Sequence, residues 1–240
     1  MSLGQCQMIC LPHAGGGSAL YQSAVQRGIP GLQIKPICLP GREARIREKP
    51  LTSMTSVLDW LDAQLEQTVH QPHILFGHSM GGIVGHALCL RRLERGLPLP
   101  QALIVSACLP PPVTRRKVLH KLDKASLLRA LMSYDAANGA LGKYPELWDL
   151  LEPPLRADFT VIETYHPTDL PRLPIPVIAL SGRSDPMVAP EDMKNWAKRG
   201  SNFKHHVFDG GHFYLRDAVM DVMSTAAKSV VDLVDFTASA

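Results

Sequence analysis

The chain has 240 residues, 45% of them hydrophobic and 20% charged, with a formal net charge of +3. That length and balance suit one compact globular domain, 1–240. The small charge, with Lys and Arg scattered among acids, speaks against a nucleic-acid binder, and apolar runs no longer than a strand speak against a membrane span.

In chain order, apolar runs suited to strands alternate with stretches of helical period. Residues 5–11 (QCQMICL) read as a strand, followed by the loop PHAGGG and a helix from about Ser18. Residues 32–39 (LQIKPICL) read as the next strand. A helix then runs from about Ser53, with Met54, Val57, Leu58, Leu61 and Leu65 on one face. Residues 73–78 (HILFGH) predict a strand, Met80 to about Arg95 a helix, and 101–108 another strand. Two further strands fall at 174–181 and 203–208, with helical stretches near 190–199 and 217–236. Such βαβ alternation predicts an α/β fold with a mostly parallel central sheet flanked by helices. Residues 110–170 break the rhythm, hold amphipathic pieces such as 123–134, and read as a helical lid inserted over one end of the sheet. Leu127, Leu128, Leu131 and Met132 are the candidate lining of that lid.

The five cysteines, Cys6, Cys10, Cys38, Cys89 and Cys108, form an odd set without a CxxC pair. They read as reduced thiols, most of them in the core, which suits a reducing compartment. The N-terminus shows no basic start, long apolar segment or obvious cleavage site. A cytoplasmic protein is the expectation.

Gly77-His78-Ser79-Met80-Gly81 matches G-x-S-x-G. The pattern is short, and its context gives it weight: it ends an apolar strand and opens a helix, the strand–turn–helix of a nucleophile elbow. The glycines remove Cβ atoms where strand and helix nearly touch. A serine hydroxyl needs a base, and the base needs an orienting group. In this fold the chain order is serine, acid, histidine. His212 follows Gly210-Gly211 directly after the last strand and is the favoured base, ahead of His120, His166, His205 and His206. Asp185 lies just past the strand 174–181 and is the favoured acid. Asp209 stands too close to His212 in sequence, and Asp158 and Asp169 belong to the lid region. For the oxyanion the expected donors are the backbone N–H of Met80, the residue after the nucleophile, and one from the PHAGGG loop, Ala14 first and Gly15 next. No HExxH or other metal motif occurs, so no metal or cofactor is expected.

Taken together, LPHAGGG (11–17), LPGREARI (39–46), FGHSMGG (76–82), LEPPLRADFTVIETY (151–165), SGRSDPMV (181–188) and GGHFYL (210–215) resemble the type II thioesterases of nonribosomal peptide and polyketide assembly lines. The PGRE and LRADF pieces are the most specific, since nothing in general hydrolase chemistry demands them. The resemblance implies an α/β-hydrolase fold and hydrolysis of acyl or aminoacyl thioesters from the phosphopantetheine arm of carrier domains. It places the triad on Ser79, Asp185 and His212. Where the family often carries a Gly-Thr-Pro-like stretch, this chain has Ala136 to Ala140, which bears on the acyl chamber. A carboxylesterase, a chain-releasing thioesterase and a non-enzymatic binding protein of the same fold are the rival readings. The chain reads as a free-standing monomer. Arg115, Arg116, Lys117, His120, Lys121 and Lys124 form a basic cluster suited to an acidic carrier domain.

Overall fold

The computed structural model describes residues 6–68, 70–112, 118–134 and 143–234. Six strands form one sheet: β1 Cys6–Leu11, β2 Leu32–Pro36, β3 His73–His78, β4 Leu103–Ser106, β5 Val177–Gly182 and β6 Phe203–Phe208. Their spatial order is β2-β1-β3-β4-β5-β6, and every neighbouring pair is parallel. This is the α/β-hydrolase fold.

The central strands are apolar on both faces because both faces are covered. Ile9, Leu11, Leu75, Leu103, Val105, Val177 and Ala179 point into one core, shared with α2 (Met54–Leu65), α3 (Met80–Glu94) and α5 (Pro145–Glu163). Their alternates Met8, Cys10, Ile74, Phe76, Ile104, Ile178 and Leu180 enter the other, against α1 (Gln22–Arg27) and α7 (Leu215–Leu233). Each Val, Leu, Ile, Met or Phe among them contributes about 1.5–3 kcal/mol on burial, and a strand slipped by one residue would exchange the two cores. α2 begins where expected, with Ser53 at its N-cap. The Ser53 hydroxyl accepts from the Ser56 N–H, and the Ser53 N–H is held in turn by the Ser56 hydroxyl.

Besides shifts of up to about three residues at the ends of other elements, such as β4 and β5, boundaries differ from the sequence reading in three places. The second strand stops at Pro36, yet Ile37 and Leu39 beyond it are buried, so an irregular segment supplies core residues that looked like strand. The helix after the first loop opens as a 3-10 turn, Ser18–Tyr21, before α1. The stretch near 190–199 is a short α6, Pro190–Met193, followed by a 3-10 turn.

Between β4 and β5 the described residues hold α4 (Lys124–Tyr134) and α5 and no strand. Pro153 and Pro154 sit inside α5. They deprive the carbonyls of Asp149 and Leu150 of intrahelical donors, and both of those residues are exposed to water. Among the described residues no helix is long and apolar enough to cross a membrane.

The strand order reverses direction at β1, which has β2 on one side and β3 on the other. In open parallel sheets the crevice at the carboxyl ends beside such a reversal is where ligands bind. The loops after β1 and β3 both end there.

Candidate active site

Strained backbone lies on this rim. Three non-glycine residues among those described have positive φ: Glu43 after β2, Ser79 after β3 and Ala107 after β4. Ser79 has φ 52° and ψ −115°, a conformation that costs on the order of 1–3 kcal/mol and is held by its surroundings. Its N–H donates to the Ser106 carbonyl at 2.7 Å, and its carbonyl accepts from Gly82 at 3.0 Å. The flanking glycines are obligatory. A Cβ on Gly77 would strike the Gly81 carbonyl, and one on Gly81 would strike the backbone of Leu11 and Pro12.

His212 lies against the serine, its Nε2 3.0 Å from Ser79 Oγ. On its other side Nδ1 is 2.8 Å from Asp185 Oδ2. The second oxygen of Asp185 accepts from the N–H groups of Met187 at 2.8 Å and Val188 at 3.1 Å, so the carboxylate is fixed at both ends. Asp185 and His212 are buried. They meet because the loops after β5 and β6 are stitched together: Arg183 N–H donates to the Phe208 carbonyl and Ser184 N–H to that of Gly210. Gly182 lets the two loops touch, since a Cβ there would run into the carbonyls of Gly210 and Gly211.

The structure thus brings Ser79, His212 and Asp185 into one hydrogen-bonded row, and it separates the other candidates from it. His205 Nε2 meets the Ser181 hydroxyl at 2.9 Å, and His206 Nε2 meets the Ser229 hydroxyl at 2.7 Å. His120 is bound to buried Glu163 at 2.6 Å. Asp209 is exposed and paired with Arg183.

Met80 opens α3, so its N–H lies in the first turn, where helical amides have no intrahelical acceptor. Ala14 lines the cleft beside Ser79. The Gly15 amide is engaged by a residue that sequence reasoning set aside. The Gly15 N–H donates to Asp158 Oδ2 at 2.8 Å and is thus already engaged. Asp158 is buried and paired with buried Arg42 through two bonds, at 2.6 and 2.8 Å. Arg42 belongs to PGRE and Asp158 to LRADF, so the two segments without an evident chemical purpose face each other.

A second group behind the serine also escaped the sequence reading. His78 Nδ1 lies 2.8 Å from the Ser106 hydroxyl, which lies 2.6 Å from the Tyr214 hydroxyl. Burial, and after it the neighbouring His212 and His13 rings, hold the His78 imidazole well below the ordinary histidine range. A neutral ring therefore backs the nucleophile. Its only signal in the sequence is a polar residue at the end of an apolar strand.

Two connected hollows open on Ser79, sharing Ala14, Phe159, Met187 and His212. The outer one, about 200 Å³, is walled by Leu131, Trp148, Leu151 and Leu155 of α4 and α5 and by Phe213 and Arg216. The inner one, about 110 Å³, runs between Ile83, Cys108, Leu109 and Ile162. Of the four expected lid-lining residues only Leu131 reaches the cleft. Leu127 is fully buried in the domain core, Leu128 is half-buried and Met132 is exposed. In the basic cluster, His120 and Lys124 are paired, with Glu163 and Asp149, and Arg115, Arg116 and Lys117 lie outside the described residues. So does the 136–140 stretch. Among the described residues no group of three or more His, Cys, Asp or Glu side chains could hold a metal ion.

An acidic, a basic and a hydroxyl side chain in line at the carboxyl rim of this sheet, with backbone amides beside them, is an arrangement suited to acyl transfer. The fold and the site geometry define an α/β-hydrolase. Residues 6–230 match the thioesterase domain model, and the chain belongs to the thioesterase family. It is 31% identical over 221 residues to the probable anguibactin biosynthesis thioesterase AngT of Vibrio anguillarum, covering 87% of this chain and 85% of that one. It is 29% identical over 226 residues to the probable cadicidin biosynthesis thioesterase of Streptomyces griseus, spanning 93% of this chain but 62% of that relative's length. Among solved structures it is similar to the type II thioesterase BorB from the borrelidin biosynthetic cluster. There the TM-score is 0.81 and the identity 33%, covering 94% of this chain and 93% of that chain.

Proposed function

We propose that this thioesterase hydrolyses acyl or aminoacyl thioesters carried on the phosphopantetheine arm of carrier domains in nonribosomal peptide or polyketide assembly, with Ser79 as nucleophile. The observation that carries the reading is the Asp185–His212–Ser79 row at the floor of an apolar cleft in a chain of this family. His212 Nε2 takes the Ser79 proton as Oγ bonds to the thioester carbonyl. The oxyanion that forms is met by the N–H groups of Met80 and Ala14. The C–S bond breaks, and His212 returns the proton to the departing thiolate. A water then repeats the sequence on the acyl-serine, giving the free acid and restoring the serine. A thiol, with a pKa near 8.5, leaves with far less proton assistance than an amine.

Residues 110–170 act as a lid in this proposal, because α4 and α5 supply one wall of the outer hollow. Amide exchange in α4 and α5 is expected to be faster than in the sheet and to slow with a bound acyl analogue. Protection equal to that of β3, unchanged by the analogue, would refute gating.

The test of substrate class compares kcat/KM for one acyl group on a carrier domain, on coenzyme A and on a short pantetheine, at low and high salt. Docking energy from the carrier surface is expected to raise turnover on the carrier, and a contribution from the basic cluster is expected to fade with salt. Equal rates on all three refute carrier recognition. A carrier preference untouched by Arg115→Glu with Arg116→Glu removes the cluster from it. Ser79→Ala is expected to abolish the acyl-enzyme burst.

A further inference from the structure

Arg42 and Asp158 stand 116 positions apart in sequence and are only 4% and 3% exposed. Beyond their two mutual bonds, each grips the loop after β1. Arg42 Nη1 donates to the Gly16 carbonyl at 3.0 Å, and Asp158 Oδ2 accepts from the Gly15 N–H at 2.8 Å. The pair therefore brackets the two residues that follow Ala14. The bracket is closed from the other side by α5 packing: Leu155, one turn before Asp158, puts its Cδ1 2.7 Å from where a Cβ on Gly15 would stand. Gly15 itself has φ +73°, the left-handed region that a side chain resists. Downstream, Glu43 accepts from the Ser18 N–H at 3.0 Å, the Ser18 hydroxyl at 2.5 Å and the Ala19 N–H at 3.2 Å.

A buried ion pair is a poor source of stability, since removing both charges from water costs about as much as their attraction returns. Burial pushes the Asp158 carboxyl up even with the guanidinium beside it. What the pair does supply is direction: a planar fork fixes a carboxylate in two places at once. Here the fixed carboxylate turns the Ala14–Gly15 peptide so that its N–H points into the protein. Ala14, the next residue back, lines both hollows together with Ser79.

We infer that Arg42 and Asp158 are positioning residues for the oxyanion donor on Ala14, holding the loop in place before charge develops on the substrate. Neither touches the reacting atoms. Preorganised donors of this kind each contribute on the order of 10²–10³ in kcat, and a displacement of about 1 Å forfeits much of that. The inference rests on the proposed roles of Ser79 and Ala14.

The test is Arg42→Met combined with Asp158→Leu, which leaves no unpaired buried charge. Folding is checked by thermal unfolding, and kcat and KM are measured on an acyl-pantetheine. Two inhibitors complete the comparison: a trifluoromethyl ketone analogue, which forms an oxyanion on Ser79, and an unreactive thioether analogue. The expected result is a kcat lower by roughly 10–100-fold with KM changed by less than about threefold. Ketone inhibition is expected to weaken by the same factor and thioether binding to stay put. A folded variant with wild-type kcat overturns the inference, as does equal weakening of both inhibitors. Should the double variant not fold, Arg42→Lys decides. It keeps a cation opposite Asp158 but loses the fork, so kcat is expected to fall about three- to tenfold at unchanged KM; wild-type kcat overturns the inference. Failure of the underlying functional reading looks different: the wild-type protein itself would then show no thioester turnover and no ketone inhibition.

Discussion

Asp185→Asn is an isosteric change whose outcome is dictated by the hydrogen bonds around it. Oδ1 accepts from two backbone amides, Met187 at 2.8 Å and Val188 at 3.1 Å, and these groups can only donate. In the variant the carbonyl oxygen must keep that place. The reverse orientation would set an NH2 against both amides, leaving the buried Val188 donor unsatisfied at about 1–3 kcal/mol. The NH2 therefore faces His212 Nδ1, where Oδ2 now lies at 2.8 Å. Nδ1 is then obliged to accept, and the imidazole proton moves to Nε2, the atom 3.0 Å from Ser79 Oγ. A protonated Nε2 cannot take the serine proton. In serine proteases the equivalent change costs on the order of 10⁴ in turnover, about 5 kcal/mol of barrier, and a similar loss is expected here. Asp185→Ala removes the orienting group without enforcing the wrong tautomer, so the closer mimic, Asn, is expected to be no more active than Ala. Single-turnover kinetics measure the loss, and ¹⁵N shifts of His212 report which nitrogen carries the proton. A loss below about tenfold, or an Nε2 still unprotonated in the variant, would refute the reasoning.

Gly81→Ala drives a methyl into the backbone of Leu11 and Pro12, so α3 and the first loop must part; a stability loss of about 1–3 kcal/mol and a fall in kcat are expected. Gly85→Ala, one helical turn on, meets only the flexible side-chain ends of Leu103 at 3.2 Å and Leu11 at 3.5 Å and is expected to retain activity; equal damage at both positions would contradict the argument. His86 sits buried on α3 against the Trp196 ring, and burial, then Arg199, brings its imidazole from 6.5 down to about 4. Between those values the unfolded chain binds the extra proton. The stability is therefore complete above pH 6.5 and is lost as pH falls toward 4, by roughly 3 kcal/mol. Urea unfolding at pH 7 and at about pH 4.5 should show His86→Leu losing less than wild type, and identical losses would rule His86 out.

Much of the site was legible because each member sits where a local pattern announces it. Ser79 follows an apolar strand between glycines, Asp185 follows the strand ending in Gly182, and His212 follows the glycine pair after β6. Local rules carry that much, since periodicity marks the strands and the chain order of serine, acid and histidine ranks the side chains. The alternation of Met8, Ile9, Cys10 and Leu11 between two cores follows from the same period-two geometry. Tertiary structure alone decided the rest. Leu127 has the helical spacing of a lid-lining residue, but whether it meets substrate or core depends on how α4 lies, and it meets core. Ile37 and Leu39 satisfy the core without strand pairing, because burial asks only where a side chain ends up. Above all, nothing near Ala14 or Gly15 in the sequence says which amide is available. The Gly15 amide is taken up by Asp158, 143 residues away, which a guanidinium in turn holds. A buried charge finds its partner through space, and no spacing along the chain records the meeting.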